Sequence, residues 1–261
     1  MKSERVDEQR ETGMQIGNAA ALITGGASGL GAATATIFAE AGAEVTVADR
    51  DPVAGRELAD RIGAHFVEVD VTDEASAQAA VDTAAGAMGG ISVLVNCAGI
   101  AIGEKTLGRD GPHRLESFRR TIDINLAGSF NMMRLAAEVM ARNPGDEKGV
   151  IVNTASIAAY DGQKGQAAYA ASKGGIVGLT LPAARDLAAS GIRVCAIAPG
   201  IFATPMLRGL PEDVQASLAA EVTYPKRLGD PAEFASLACF IVECGYLNGE
   251  VIRLDGGLRM R

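Results

Sequence analysis

The stretch AALITGGASGLGAATATIFAEAG, residues 20–42, decides the fold. Its first five residues, AALIT (20–24), form a short apolar run of strand length. TGGASGLG (24–31) is a glycine-rich turn, and GLGAATATIFAEAG (29–42) has a helical pattern. A strand, a tight turn and a helix start bring unpaired backbone N–H groups to a helix N-terminus. Those amides and the partial positive charge there favour phosphate. Gly25, Gly29 and Gly31 permit the turn, a close approach of pyrophosphate and tight helix packing, with Ser28 and Leu30 between them. The spacing is T-G-x-x-x-G-x-G, not the commoner G-x-G-x-x-G. A glycine-rich turn alone is a weak signal. After the first strand of an α/β chain it points to a dinucleotide.

Outward from that turn, short apolar runs alternate with longer helical patterns. Strands are expected at EVTVAD (44–49), HFVEVD (65–70), ISVLVNCAG (91–99), GVIVNTAS (149–156), GIRVCAIAPG (191–200) and EVIRLDGG (250–257). Helices are expected at 52–63, 74–89, 115–124, 126–142, 166–189 and 232–243. Repeated β-α units demand crossover connections, hence a single-domain, doubly wound, Rossmann-type α/β fold with a mostly parallel sheet and helices on both faces. VLVN and VIVN are apolar on both sides, as a sheet covered on both faces requires. The polar start MKSERVDEQRETG reads as part of a mobile leader over 1–16, ahead of one catalytic domain over 17–261. Pro182 falls inside the 166–189 pattern and predicts a kink or break.

Composition narrows the function. The formal net charge is −8, from 24 basic and 32 acidic residues, with no basic stripe for a phosphodiester backbone. Nucleic acid is not expected as a partner. No apolar run reaches membrane-spanning length. The four cysteines form no C-x-x-C pair and the two histidines lie far apart, so neither a metal site nor a disulfide framework is expected. Reduced thiols fit a cytoplasmic setting.

Strand ends at the carboxyl edge of such a sheet converge on one crevice. Asp49 ends the second strand and can accept hydrogen bonds from an adenosine ribose. It would repel a 2′-phosphate, which favours NAD over NADP, although Arg50 beside it could swing to a phosphate. A loop carboxylate capping the next turn would look the same. Asp70 and Val71 are placed to hold the adenine edge. Asn96, Ala98 and Gly99 are small enough to let a dinucleotide lie against the sheet, or simply to pack a turn. In AAYAASKGG (167–175), Tyr169 and Lys173 share a helix face. An ammonium there favours phenolate and lowers the phenol from its usual value of about 10. An idle surface pair has the same spacing. Ser156 ends the strand GVIVNTAS, where its hydroxyl can bond a substrate oxygen while Tyr169 exchanges that oxygen's proton. Lys173 can also reach a cofactor ribose, and Asn125 can hold a water or keep the helix backbone open.

Together TGGASGLG, NCAG, Asn125, Ser156 and YAASK resemble the short-chain dehydrogenase/reductase family, in the family's order, over about residues 17–257. The resemblance implies Asn125, Ser156, Tyr169 and Lys173 as a catalytic tetrad. It implies Pro199, Gly200, Ile201 and Thr204 around a nicotinamide. The segments from NTASIAAYDGQKGQ to LPAARDLA, RLGDPAEF and LNGEVIRLDGGLRM are similar to the branch of type 2 3-hydroxyacyl-CoA dehydrogenases. So is the polar segment GEKTLGRDGPHRLESF (103–118). That branch implies NAD-dependent oxidation of a secondary alcohol, 3-hydroxyacyl-CoA to 3-oxoacyl-CoA, by a homotetramer, with Tyr169 as general base. A 3-oxoacyl-acyl-carrier-protein reductase and a steroid or sugar alcohol dehydrogenase use the same fold. A non-catalytic nucleotide sensor is the remaining alternative, against which the intact tetrad speaks.

Substrate identity should lie in the irregular segments 101–118 and 201–226. Leu207, Leu210 and Pro211 begin a stretch that can close over an acyl chain or be an ordinary surface helix. Gln163 and Gln166 can touch a thioester or cap the long helix. Lys105, Arg109 and His113 can meet CoA phosphates or be solvated charges. The long helix is small and apolar nearly all round, which predicts sheet on one side and a partner subunit on the other.

Overall fold

The structure, a computed structural model, describes residues 13–208 and 211–260. In chain order its elements are β1 (Ala20–Thr24), α1 (Gly29–Glu40), β2 (Glu44–Asp49), α2 (Pro52–Ile62), β3 (His65–Glu68), α3 (Glu74–Met88) and β4 (Val93–Asn96). There follow a small hairpin of β5 (Leu107–Gly108) and β6 (Gly111–Pro112), then α4 (Leu115–Ile122), α5 (Ser129–Met140), β7 (Gly149–Thr154), α6 (Ala158–Asp161) and α7 (Ala167–Leu187). The chain ends through β8 (Ile192–Pro199), α8 (Pro205–Arg208), α9 (Glu212–Glu221), α10 (Pro231–Glu243) and β9 (Val251–Leu254).

Seven strands form one sheet in the order β3-β2-β1-β4-β7-β8-β9, and every pairing is parallel. Register explains why the strands are apolar on both sides. Ile23 stands opposite Val47 and Val95, and Val95 opposite Val152. These residues face one core, shared with Phe38 of α1, Leu58 of α2 and Phe234 of α10. The alternate residues Leu22, Leu94 and Ile151 face a second core with Val81 of α3, Met132 of α5 and Ala184 of α7. Period-two alternation therefore feeds two helical layers at once. The strand order reverses between β1 and β4, and that switch point opens a crevice at the carboxyl edge.

Several expectations change in detail. The two helices expected over 115–142 are one continuous run. A π-helical turn, Asp123–Gly128, joins α4 to α5. α7 runs through Pro182 without a break. The hydrogen bond that Pro182 cannot donate would have gone to Gly178, an exposed glycine with open space around it. Met14 and Ile16 pack into the first core, so the folded part begins ahead of the expected boundary at residue 17. The rest of the expected leader, residues 1–12, lies outside the described residues, as does Leu210. Among the described residues no helix is long and apolar enough to cross a membrane.

Candidate active site

A cleft of about 1230 Å³ opens at the switch point. Its floor is the turn between β1 and α1, and the space there is closely defined. Gly25 has φ +61°, and a Cβ on it would lie 2.6 Å from the Ala98 amide nitrogen. A Cβ on Gly31 would lie 2.2 Å from the Gly25 carbonyl oxygen. The turn thus folds tightly onto the loop after β4 only because both positions lack side chains. Ser28 is the N-cap of α1 in an extended conformation, and its side chain does not cap the helix. Ala32 is the first residue of α1 whose N–H finds a helical partner, the Ser28 carbonyl. The first turn carries no acidic residue. These are the features a pyrophosphate needs: open amides, a positive helix end and backbone at close range. Leu30, Ala98, Gly99 and Thr204 also line the cleft.

Asp49 reaches the cleft from the end of β2 with its carboxylate already oriented. Oδ2 accepts from the Ala27 N–H at 3.0 Å and Oδ1 from the Asp51 N–H at 3.1 Å. The same side chain therefore braces the glycine turn and presents an anion beside it. Arg50 lines the cleft too, and its charge acts on Asp70. The Asp70 carboxyl is held below its usual range, first by the Thr72 hydroxyl and amide (2.7 and 2.9 Å) and then by Arg50. Val71 closes this end. The Asn131 side chain donates to its carbonyl at 3.1 Å, and Gly128 packs directly on its side chain.

Asn96 is placed differently from the cofactor contact expected of it. Its side chain is buried: the carboxamide oxygen accepts from Thr24 Oγ1 (3.2 Å), and Nδ2 donates to the Ser129 carbonyl and to Asn153 Oδ1. It ties β1, β4, β7 and α5 together beneath the cleft. Thr24, which also accepts from the Ala98 N–H, heads the T-G-x-x-x-G-x-G motif but was given no role of its own in the sequence reading. The motif's spacing marks the threonine but not the strands its hydroxyl joins.

The Tyr–Lys pair does not line this cleft itself and lies beside it, past Gly99. A Cβ on Gly99 would be 3.2 Å from Asn125 Oδ1 and 3.7 Å from Lys173 Nζ, so this cluster continues the dinucleotide cleft. Asn125 is fully buried in the π-helical turn. Its Oδ1 accepts from the Ile100 N–H (2.8 Å), while Nδ2 donates to the Ile100 carbonyl (2.9 Å) and to Ser172 Oγ (3.0 Å). Lys173 is buried and donates to the Thr154 carbonyl at 2.6 Å. Burial lowers its ammonium to about 8, opposed by the neighbouring Cys97. Ser156 Oγ accepts from the Ala158 N–H at 3.1 Å and acts on the Tyr169 hydroxyl, favouring its ionised form.

The phenol itself departs from expectation. Burial pushes Tyr169 above its usual value, and the Ser156 hydrogen bond pulls it part of the way back. Lys173 does not produce the expected depression. Its Nζ sits 5.9 Å from the ring centroid and is committed to Thr154. In the protein alone, desolvation outweighs the ammonium.

The remaining residues frame this pair. The Pro199 carbonyl accepts from the Ile157 N–H, and the Ile201 carbonyl from the Gly229 N–H. Gly200 packs so closely on Asp255 that a Cβ would lie 2.9 Å from its Cα. Leu207, half-buried on α8, donates its N–H to the Thr204 carbonyl. Gln166 uses Oε1 to accept from the Gln163 N–H at 3.0 Å, which shapes the turn entering α7. His113 bonds the Glu104 carbonyl, and Arg114 grips the Glu104 carboxylate, so these two residues fasten the 103–118 segment. Lys105 and Arg109 are exposed.

A parallel sheet with a glycine cradle at its switch point and a Ser–Tyr–Lys cluster beside it defines a nucleotide-dependent oxidoreductase. Comparison with known proteins places the chain within that class. The family described as enoyl-(acyl carrier protein) reductase matches residues 25–259, and the chain belongs to the short-chain dehydrogenase/reductase family. It is 53% identical over 252 residues to 3-hydroxyacyl-CoA dehydrogenase type-2 of Drosophila melanogaster, covering 94% of this chain and 99% of that one. It is also 53% identical over 248 residues to the Homo sapiens protein of the same name, covering 92% and 95%. A crystal structure of 3-hydroxyacyl-CoA dehydrogenase type-2 from Mycobacterium avium superposes with a TM-score of 0.88 at 44% identity, covering 92% of this chain and 96% of that one. The chain is an enzyme of this family, and its dinucleotide is NAD.

Proposed function

We propose that this enzyme oxidises a 3-hydroxyacyl-CoA thioester to the 3-oxoacyl-CoA, with Tyr169 as general base. One coincidence carries the reading. The Ser156–Tyr169–Lys173 cluster lies next to Gly99, which lines the same cleft as the glycine cradle, in a chain 53% identical, over nearly their whole length, to dehydrogenases of that name. Bound NAD would supply a hydride acceptor and a positive charge to this site. Ser156, fixed by the Ala158 amide, steadies the substrate oxygen. Tyr169 takes the proton from that oxygen. Lys173 keeps a positive charge near the ring and, with the cofactor's charge, offsets the desolvation that holds the phenol protonated in the protein alone. Asn125 anchors the loop after β4 against α7. Asp49 offers its carboxylate to the ribose hydroxyls and disfavours a 2′-phosphate.

The test is NAD reduction with 3-hydroxybutyryl-CoA, its 2-methyl derivative, longer thioesters and steroid alcohols in parallel. The reading expects the CoA thioesters to turn over with NAD. Turnover confined to carrier-protein-bound acyl groups with NADPH would overturn it.

The working form in this reading is a homotetramer. Ala167, Ala171, Gly178 and Leu181 leave a small, apolar stripe of α7 exposed, which suits a second helix at close range. A monomer by light scattering at micromolar concentration would reject the tetramer. A reducing setting such as the cytoplasm is supported by four free cysteines, two of them, Cys97 and Cys239, with thiols pushed up to about 11 mainly by burial. Cell fractionation tests it.

A further inference from the structure

We propose that Ser172 is a positioning residue for catalysis: its hydroxyl locks the turn of α7 that carries Tyr169 and Lys173 to Asn125, and so sets how far the phenol reaches into the crevice. The inference rests on Tyr169 as the ionising group. It adds a residue through which the tetrad is held together.

Ser172 is completely buried. Its Oγ donates to the Tyr169 carbonyl at 2.7 Å and accepts from Asn125 Nδ2 at 3.0 Å. A carboxamide has two N–H donors and one oxygen. Asn125 commits that oxygen and one N–H to the two backbone groups of Ile100, which leaves its other N–H for Ser172 alone. The path therefore runs from Ile100, in the loop that lines the dinucleotide cleft, through Asn125 and Ser172 to the backbone of Tyr169. A Cβ on Gly174 would meet nothing within 4 Å, and one on Gly175 would press on Leu126. A serine bonding back to a carbonyl three residues earlier ordinarily does nothing for a helix beyond a slight bend. Here the same oxygen also receives a buried amide from another element. The titratable groups facing this turn are Tyr169 and Lys173 themselves and Cys97 from the loop after β4.

Ser172→Ala removes the link and strands the Asn125 N–H. The expected loss in kcat is about 10- to 100-fold, with the KM for NAD changed less than about threefold. A Tyr169 that has drifted from Lys173 and the nicotinamide holds its proton more tightly. The acid limb of the oxidation profile then moves to higher pH by about half a unit or more. Ser172→Thr keeps the hydroxyl and restores both readouts. Ser172→Cys keeps the side chain's length with a much weaker hydrogen-bonding group, and behaves like alanine.

The deciding experiment needs no substrate. Phenolate absorbance is titrated by ultraviolet difference in the NAD complexes of the wild type and the serine variants, with Tyr169→Phe as the blank. The phenol should titrate at higher pH in Ser172→Ala and Ser172→Cys than in the wild type or Ser172→Thr. If either of the first two folds and titrates with the wild-type midpoint, the inference is overturned. A failure of 3-hydroxyacyl-CoA as substrate would leave this titration readable, so the two proposals fail separately.

Discussion

Replacing Gly31 by alanine attacks the phosphate cradle where it has least room. The new Cβ would sit 2.2 Å from the Gly25 carbonyl oxygen, 2.8 Å from its carbon and 3.1 Å from Gly26 Cα. All three are backbone atoms, so no side chain can rotate away. A tolerable separation is about 3.2 Å or more, so the turn must open by about 1 Å. Gly25 cannot retreat freely, because it already lies against Ala98 and Cys97 on its other side. Forced overpacking of this kind costs about 2–3 kcal/mol, or roughly 5–10 °C in Tm for a chain of this size. The larger effect should be on binding. A displacement of about 1 Å in groups that hold a ligand is worth on the order of 100-fold. The assay is NADH fluorescence titration with thermal unfolding on the same preparations. Gly86→Ala is the control. Gly86 lies in α3 with open space around it, and alanine there should leave NADH affinity unchanged and add up to about 1 kcal/mol of stability. Wild-type NADH affinity in Gly31→Ala would refute the geometry assigned to the turn.

Two further substitutions separate cofactor choice from stability. Asp49→Ala should weaken NAD by about tenfold or more, through loss of the ribose acceptor and of the brace on Ala27. It should also move the NAD-to-NADP ratio of kcat/KM toward NADP, and an unchanged ratio would count against this role. Arg193 is buried, paired with Glu147 at 2.6 Å, and donates to the carbonyls of Ile241 and Val242 at the end of α10 and of Leu247 in the loop beyond it. Arg193→Met strands those acceptors and should cost about 3 kcal/mol or more, read as a fall in Tm with NADH affinity preserved in the folded fraction.

The layout of the fold was legible because α/β alternation leaves two independent marks. One is the period of the apolar residues, and the other is the doubly apolar strands such as VLVN and VIVN. The limits were equally physical. A π-helical turn at Asp123–Gly128 is six residues long, too short for its wider period to be told from that of the helices it joins. The two-residue strands at Leu107–Gly108 and Gly111–Pro112 are too short to show alternation. Pro182 was read as a breaker because the effect of Gly178 one turn earlier depends on exposure, which composition does not carry.

In the site, glycine spacing and strand ends marked which backbone segments meet. They could not show where side chains spend their hydrogen bonds. Asn96 turns inward to Thr24, Ser129 and Asn153, a partnership spread over three other elements. Ser172 hides within YAASK between the two residues that draw attention. Lys173 was expected to depress the Tyr169 phenol, but both groups are desolvated and the ammonium answers to the Thr154 carbonyl. Spacing places charges near one another; burial decides what each does to its neighbour.

The most direct test of the mechanism pairs two measurements on Tyr169→Phe: NAD reduction with 3-hydroxybutyryl-CoA, and NADH affinity. The substitution removes one hydroxyl and leaves the ring. The account predicts a fall in kcat of about 1000-fold with NADH affinity within about threefold of the wild type. Turnover of the thioester within tenfold of the wild type would contradict it, because the proton would then be leaving by another route.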